Sequence, residues 1–360
     1  MKFLDLFAGV GGFRLGMESA GHKCIGFCEI DKFARASYKA IHNTKGEIEL
    51  HDITAVSDEF IRGIGRVDII CGGFPCQAFS IAGARRGFED TRGTLFFEIA
   101  RFASILRPRY LFLENVKGLL NHDRGNTFEI ILSALDELGY NVEWENINSK
   151  NFGVPQNRER VFIIGHLRGE RTRRIFPLGG ESQSISSQSV VKIGNVNPSE
   201  NGMNGEVYQA DGLAPTLTTN KGEGQKIAIK SNAIKQFGVL QPNFNQCGVV
   251  YETDGIAPTI RAYQGGGLEP KIIQRGHGYN QGGEHDIAPT LTSNSYQENN
   301  HLSFGYRIRK LTPRECWRLQ GFPDWAFDKA QEVNSNSQLY KQAGNSVTVN
   351  VIAAIAKEFR

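Results

Sequence analysis

The chain has 360 residues, 40% of them hydrophobic and 22% charged, with a formal net charge of +3 and a sequence pI near 8.4. This composition is typical of one or two soluble domains, and its small basic excess is compatible with a polyanionic partner without requiring one. No apolar stretch is long enough to span a membrane, so we expect a cytoplasmic protein without membrane association. The 6 cysteines lack CxxC spacing and nearby histidines, which predicts neither disulfides nor a metal site.

Short apolar segments alternate with amphipathic helical patterns through the first half of the chain. Strands are predicted at residues 3–7, 24–28, 67–71, 110–113, 142–147 and 161–164, and helices at 94–106 and 127–138. This alternation favours a parallel, doubly wound α/β sheet. From about residue 170 the chain is rich in Gly, Ser, Asn and Gln, and helical patterns return only at 313–320 and 346–359. We therefore expect a second, loop-rich domain, followed by a last helix that packs on the first domain.

The loop-rich region contains three related segments. They read YQADGLAPTLTTN from Tyr208, YETDGIAPTIRAY from Tyr251 and EHDIAPTLTSN from Glu284. Their spacing is too uneven for a solenoid. We expect three strand-turn units in a small irregular β domain, and the alternative is one type of turn used three times without any contact to a ligand.

The segment GGFPCQAFS, residues 72–80, directly follows the predicted strand at 67–71. It places Cys76 on a tight loop at the carboxyl end of a buried strand, where open α/β sheets bind their ligands. Pro75 lacks a backbone donor and restricts φ next to the thiol. The loop is therefore suited to presenting one side chain, although a core thiol beside a turn is the simpler alternative.

A glycine-rich turn, DLFAGVGGFRLG, connects the first predicted strand to the first helix at residues 5–16. It is not the dinucleotide fingerprint GxGxxG, because Arg14 stands where the third glycine is required. Such a turn can still hold the carboxylate end of an adenosyl cofactor. Glu29 ends the next strand, where an acid accepts hydrogen bonds from ribose hydroxyls, and Asp52 is a candidate for the adenine amino group.

Two further segments carry charges next to predicted strands, LENVKG at 113–118 and QNRERVFIIG at 156–165. A carboxyl such as that of Glu114 at the end of an apolar strand has a desolvation cost unless it is paired or functional. Arg158 and Arg160 alternate, so in an extended chain they share one face and can reach one ligand. Surface ion pairs are the alternative for both arginines.

These segments together resemble the bacterial and phage DNA cytosine-5 methyltransferases over essentially the whole chain. The matching blocks, in the family's order, are FAGVGG, GFPCQAFS, GTLFFEIAR, ENV, QNRER, RKLTPRECWRLQGFP and QAGNSVTVNVI. The resemblance implies a Rossmann-like catalytic domain that uses S-adenosyl-L-methionine and releases S-adenosyl-L-homocysteine. It also implies a smaller β-rich target-recognition domain, giving expected boundaries at 1–168, 169–305 and 306–360, with the last segment completing the catalytic domain.

The resemblance also implies roles for individual residues. Cys76 is the expected nucleophile with Pro75 beside it, and the expected cytosine-binding residues are Glu114, Arg158 and Arg160. The expected cofactor residues are Phe7, Gly9, Gly11, Glu29, Asp52, Leu95 and Asn345, and no metal is expected. For DNA recognition, Gln246 with Thr259 and Gln281 with Thr290 fit the family pattern equally well, so both pairs remain candidates.

In this chemistry a thiolate adds to carbon 6 of cytosine, which makes carbon 5 nucleophilic. The target base must first be flipped out of the duplex, at a cost of a few kcal/mol. We expect double-stranded DNA as the partner of a monomeric enzyme, either from a restriction-modification system or from a phage or orphan system. Whether a cognate endonuclease exists remains open.

Three other functions are less compatible with the sequence. A tRNA cytosine-5 methyltransferase would share the catalytic blocks, but such relatives generally have a much shorter recognition region. A DNA-binding regulator without activity would have no use for the combination of Cys76 and Glu114. A nicotinamide oxidoreductase is excluded because Arg14 interrupts its fingerprint and no catalytic pair for such a substrate is present.

Overall fold

The computed structural model describes residues 1–75, 95–178, 190–195, 206–210, 212–217, 226–230, 236–239, 249–251, 272–274, 283–285, 300–301 and 306–359. The chain divides into two compact units. The first comprises Met1–Val190, Gly212–Gly224 and Leu311–Arg360, and the second comprises Val191–Asp211 and Gln225–Lys310. Two stretches of the expected recognition domain, residues 169–190 and 212–224, belong to the first unit.

The first unit contains a seven-stranded sheet with the order β3-β2-β1-β4-β5-β7-β6. Its strands are β1 (Lys2–Leu6), β2 (Lys23–Cys28), β3 (Ile48–Leu50), β4 (Ile69–Gly73), β5 (Tyr110–Val116), β6 (Tyr140–Asn148) and β7 (Glu159–Leu167). The strands β1 to β5 are parallel, whereas β7 is antiparallel to both of its neighbours. The predicted doubly wound α/β class is confirmed, with an antiparallel β6–β7 pair at one edge. The sequence pattern missed β3, which is too short to show a period.

Helices cover both faces of this sheet. They are α1 (Gly12–Ser19), α2 (Lys32–Ile41), α3 (Asp58–Gly63), α4 (Leu95–Leu106) and α5 (Asn126–Glu137), followed by α6 (Pro313–Leu319), α7 (Asp324–Val333), α8 (Asn336–Asn345) and α9 (Val349–Ala356). Alternate residues of β1 belong to different cores, since Leu4 packs with α4 and α5 while Phe3 packs with α1 and α9. The last helix therefore returns to the first domain, as the sequence predicts, whereas α7 and α8 were not predicted.

The close approach of α9 to α1 depends on a glycine. A Cβ atom added to Gly16 would lie 2.6 Å from the side chain of Ile352, which no real contact permits. Gly16, rather than the residue at position 14, thus allows the first helix to pack closely, and Arg14 is free to pair with Glu18 and Glu47 at 2.9 and 2.7 Å. These helices bring the C-terminal segment onto the sheet beside the glycine-rich turn.

The order of the strands determines where a ligand can bind. The connections after β1 and β4 leave in opposite directions, because β2 and β5 lie on opposite sides of this neighbouring pair. Such a switch point leaves a crevice at the carboxyl ends of the two strands. The glycine-rich turn follows β1 there, and Phe74 and Pro75 follow β4.

The described part of the second unit consists of β-strands. One sheet has the order β16-β10-β9-β8, and the remaining strands form a β11–β12 pair and a β14-β13-β15 sheet. The strands are β8 (Lys192–Asn195), β9 (Glu206–Gln209), β10 (Lys226–Lys230), β11 (Gln236–Val239), β12 (Val249–Tyr251), β13 (Ile272–Gln274), β14 (Gly283–His285), β15 (Asn300–His301) and β16 (Tyr306–Lys310). The three related segments, called APT segments after the tripeptide they share, begin in β9, β12 and β14, and their tripeptides at 214–216, 257–259 and 288–290 follow those strands in sequence. No helix of the described chain has the length and hydropathy required to span a membrane.

Candidate active site

A cavity of about 610 Å³ lies in the first unit at the switch point of the sheet. Its walls come from the turns after β1 and β4, the end of β5, the start of β7 and the end of α8. Eight residues predicted from the sequence line it: Phe7, Gly9, Glu29, Pro75, Glu114, Arg158, Arg160 and Asn345. The structure therefore brings candidates for both cofactor and cytosine binding to one cavity.

Other predicted residues are placed elsewhere. Gly11, Asp52 and Leu95 are not among the residues that line the cavity. The Asp52 carboxylate caps a short 3-10 helix and accepts hydrogen bonds from the backbone and hydroxyl of Thr54, at 2.9 and 2.7 Å. Leu95 begins α4 and packs against the hydrophobic core. Cys76, Gln246, Thr259, Gln281 and Thr290 lie outside the described residues.

The turn after β1 has an unusual backbone. Phe7, Gly9 and Gly11 have φ angles of 55°, 56° and 88°, and a positive φ is uncommon in a bulky residue such as Phe7. The Glu29 carboxylate holds this turn, accepting hydrogen bonds from the backbone amides of Gly9 and Asp31, each at 2.8 Å. Glu29, which was predicted from its position at the end of β2, thus also stabilises the turn after β1.

The same turn is packed tightly against His42. A Cβ atom added to Gly11 would lie 2.0 Å from the Nε2 atom of His42, and that nitrogen lies 3.3 Å from the carbonyl oxygen of Val10. Burial, and then the nearby charge of Arg14, lower the pKa of His42 to about 3. The imidazole is therefore neutral at physiological pH and acts as a fixed support for the turn.

Glu114 lies near the carboxyl end of β5 and lines the cavity. Its side chain is 11% exposed, and its Oε1 atom lies 2.9 Å from Nε of Arg160. Burial raises the pKa of Glu114, although the charges of Arg160 and Arg158 act in the opposite direction. Gly73, the register partner of Glu114 on β4, leaves space for the carboxyl, since a Cβ there would lie 3.1 Å from Oε2.

Arg158 is buried beside this carboxyl. Its guanidinium donates to the carbonyl oxygens of Ser346 at 2.9 Å, Gly344 at 3.2 Å and Leu217 at 3.4 Å. Burial, and then repulsion by Arg160, lower its pKa to about 9. Its Nε atom has no hydrogen-bond partner among the described residues, so this buried group retains a donor for a ligand.

Asn115 is a site residue that the sequence reasoning missed. Its amide Nδ2 donates to the carbonyl oxygen of Phe74 at 2.9 Å, and its Oδ1 accepts from the backbone of Val116 at 2.8 Å. These contacts fix the end of β5 to the segment that continues into Pro75 and Cys76. The signal was present in the block ENV, from which only the acid was selected.

A second missed feature is an ion pair at the cavity wall. Lys341 on α8 lies 2.6 Å from the carboxylate of Asp31, which also caps the N-terminus of α2. Both residues line the cavity. The separation of 310 positions between the two residues explains why no sequence pattern predicted the pair.

The described cysteines are poor candidates for a nucleophile. Cys24, Cys28, Cys71 and Cys316 are all buried. Burial raises the pKa of Cys24, Cys28 and Cys316 to about 12, and also raises that of Cys71 well above its usual value. Since the thiolate is the reactive form, these four thiols are inert. Cys76 instead follows Pro75, an exposed residue of the cavity wall.

A doubly wound sheet with a cavity at its switch point, lined by a glycine-rich turn, a buried carboxyl and two arginines, defines a class of α/β enzymes that bind a cofactor beside the substrate. The chain matches the family described as C-5 cytosine-specific DNA methylase over residues 1–360. It therefore belongs to this family and is a DNA cytosine-5 methyltransferase. The family implies a methyl donor of the S-adenosylmethionine type.

Similar proteins agree with this membership. The chain is 35% identical to an orphan methyltransferase of Bacillus phage SPR, over 99% of this chain and 97% of the relative. It is 39% identical to a type II methyltransferase of Haemophilus parainfluenzae, over 99% and 88% of the two chains. The crystal structure of S. pombe Dnmt2 methyltransferase shares the fold, with a TM-score of 0.60 and 16% identity over 98% of this chain and 96% of that chain.

The crowding at Gly11 leads to a first prediction. We expect Gly11→Ala to weaken binding of S-adenosylmethionine by at least about 10-fold, since the turn must move away from His42. Gly21 is a matched control, because its φ of 84° resembles the 88° of Gly11 but no atom lies within 4 Å of an added Cβ. In both variants an alanine must adopt a positive φ, which costs about 1 to 2 kcal/mol of conformational free energy. Titration calorimetry with the cofactor measures the difference, and equal affinities of the two variants would contradict it.

Proposed function

We propose that this enzyme methylates carbon 5 of a cytosine that has been flipped out of double-stranded DNA, through a covalent adduct between Cys76 and carbon 6. The observation that carries the proposal is the single cavity in which Glu114, Arg158, Arg160 and Pro75 lie beside the turn after β1. A flipped base needs a pocket that provides hydrogen bonds to its Watson–Crick edge. The buried carboxyl and its neighbouring guanidinium donors supply those groups.

The residues at the turn fit the adenosyl methyl donor. Gly9 has a positive φ, and a Cβ there would have no neighbour within 4 Å, so the backbone at Gly9 is open to a ligand. The Glu29 oxygens each accept one backbone amide but retain lone pairs for ribose hydroxyls. Asn345 lines the cavity at the end of α8, and we retain it with Phe7, Gly11, Asp52 and Leu95 as proposed cofactor residues. When bound, S-adenosylmethionine supplies an electrophilic methyl group.

The chain's own residues provide the remaining chemistry. The Cys76 thiolate forms a bond to carbon 6, the electron pair of the carbon 5–carbon 6 double bond moves to carbon 4–carbon 5, and that of the carbon 4–nitrogen 3 double bond moves to nitrogen 3. Glu114 shares its proton with ring nitrogen 3 as this charge develops. Arg158 and Arg160 add positive charge to the cavity that Pro75 lines, and positive charge favours a thiolate.

The reaction ends when the adduct breaks down. Once carbon 5 has taken the methyl group, with S-adenosyl-L-homocysteine as the leaving group, a base removes the hydrogen of carbon 5 as a proton. The resulting electron pair restores the double bond and expels the thiolate of Cys76. No described residue is assigned as this base, and water is sufficient for the role.

Recognition of the target sequence is proposed to depend on Gln246 with Thr259 or on Gln281 with Thr290, in the second and third APT segments. Alanine at a residue that contacts a base should lower discrimination against altered sites by about 1 to 3 kcal/mol, whereas cofactor affinity should not change. Methylation of duplexes with single-base substitutions measures this effect. If all four alanine variants keep the wild-type preference, base reading depends on other loops.

The proposed setting is a restriction-modification system or a phage or orphan methyltransferase, with a monomeric enzyme in the cytoplasm. Relatives named as an orphan phage enzyme and as a type II enzyme support both possibilities. The direct test is transfer of labelled methyl groups from S-adenosylmethionine to duplex DNA without added metal, followed by nucleoside analysis. Label is expected on carbon 5 of cytosine. Label on adenine, or a requirement for metal, would refute the proposal.

A further inference from the structure

The second half of the first APT segment belongs to the first unit, whereas the strands β9 and β10 before and after it belong to the second unit. Gly212–Gly224 is part of the first unit, although the residues on either side of it, Val191–Asp211 and Gln225–Lys310, belong to the second. The described residues 212–217 include the APTL of this segment. The contacts of residues 212–217 with the rest of the first unit therefore indicate what this segment does.

Backbone pairing attaches this segment to the chain that leads into β7. Ala214 donates to the carbonyl oxygen of Pro155 and accepts from the amide of Asn157, both at 2.8 Å. Gln156 and Ala214 thereby form a parallel bridge. The segment lies beside the QNRER block like one short extra strand.

Thr216 extends this attachment with its side chain. Its hydroxyl donates to the carbonyl oxygen of Asn157 at 2.7 Å. The next residue of the block is Arg158, whose guanidinium donates to the carbonyl oxygen of Leu217. Thr216 and Leu217 both line the cavity. One side of the Arg158 site is therefore formed by the first APT segment, although its sequence closely resembles those of the other two APT segments.

We propose that Thr216 is a positioning residue, which holds Arg158 in place for the transfer step, and that the first APT segment serves this purpose rather than the reading of bases. The inference rests on the proposed role of Arg158 in binding the target cytosine. The other two hydrogen bonds of the Arg158 guanidinium are donated to the carbonyl oxygens of Gly344 and Ser346. Loss of the Thr216 contact would loosen the third attachment, because the Leu217 carbonyl would then be held relative to the backbone of Asn157 only through the more distant pairing of Ala214.

The test compares Thr216→Val, which keeps the branched shape without the hydroxyl, with Thr216→Ser, which keeps the hydroxyl. We expect the valine variant to lower kcat for DNA methylation about 3- to 10-fold, as expected for one lost hydrogen bond. KM for S-adenosylmethionine and the preference among single-base-substituted duplexes should stay within about 2-fold of the wild type. The serine variant should restore most of the rate.

Thr127→Val is a matched control for stability. The Thr127 hydroxyl lies 2.7 Å from Nδ1 of His122, the same distance as in the Thr216 contact, but Thr127 does not line the cavity. It should lower the melting temperature without lowering kcat. A changed target preference in Thr216→Val, an unchanged kcat, or a loss that serine does not restore would each overturn the inference. Absence of methylation by the wild-type enzyme would instead refute the proposed function.

Discussion

Replacing Cys76 with serine is expected to abolish methylation of DNA, with a loss of roughly 1,000-fold or more in kcat. A cysteine thiol with a pKa of about 8.5 is partly ionised near neutral pH, whereas a serine hydroxyl is not. Binding of S-adenosylmethionine should be retained, because the proposed cofactor contacts are made by other residues. Single-turnover methylation and calorimetry of the same preparations separate the two properties.

Covalent trapping identifies the nucleophile directly. Duplex DNA with 5-fluorocytosine at the target should capture the wild-type enzyme, because the adduct cannot lose fluorine as a proton. Cys247→Ser is the control, since Cys247 lies outside the seven blocks that resemble the family. It should be trapped normally, whereas Cys76→Ser should not. Attachment of the DNA to any cysteine other than Cys76 would show that the proposed nucleophile is wrong.

Replacing Glu114 with glutamine is expected to lower kcat by about 100- to 10,000-fold, the range of general acid catalysis, with much less effect on DNA affinity. An amide can still donate to the flipped base, but it cannot share a proton with ring nitrogen 3 as charge develops there. The loss should therefore fall on the transition state. The raised pKa of Glu114, caused by its burial, favours the protonated carboxyl that this role requires.

Glu98→Gln controls for the loss of a buried ion pair. The Glu98 side chain is 11% exposed, like that of Glu114, and its carboxylate lies 2.6 Å from Arg101. It does not line the cavity, so its replacement should change the free energy of unfolding and leave kcat within about 2-fold of the wild type. Single-turnover rates that are near normal in Glu114→Gln, or equally reduced in both variants, would refute the role of Glu114.

The sequence by itself determined the class of fold and much of the chemistry. Alternating apolar strands and amphipathic helices identified the α/β sheet, because burial on both faces requires continuous apolar strands. The glycine-rich turn, Glu29 and Glu114 could each be selected at the carboxyl end of a strand, and the two arginines at the start of one. Parallel strands end at the same edge of a sheet, which was sufficient to predict that the turn, Glu29 and Glu114 meet. The arginines reach that edge because β7 is antiparallel to β5, which the sequence did not predict.

Only the tertiary structure decided which residues complete the cavity. The contact of Asn115 with Phe74, the Lys341–Asp31 pair and the Thr216 contact join segments that are distant in sequence. Such contacts depend on strand order and on helix packing, which leave no periodic signal. The three APT segments are similar in sequence, but only the folded chain shows that the first one contacts the QNRER block. A short turn does not contain the information that determines its neighbours, because those neighbours come from the packing of the whole unit.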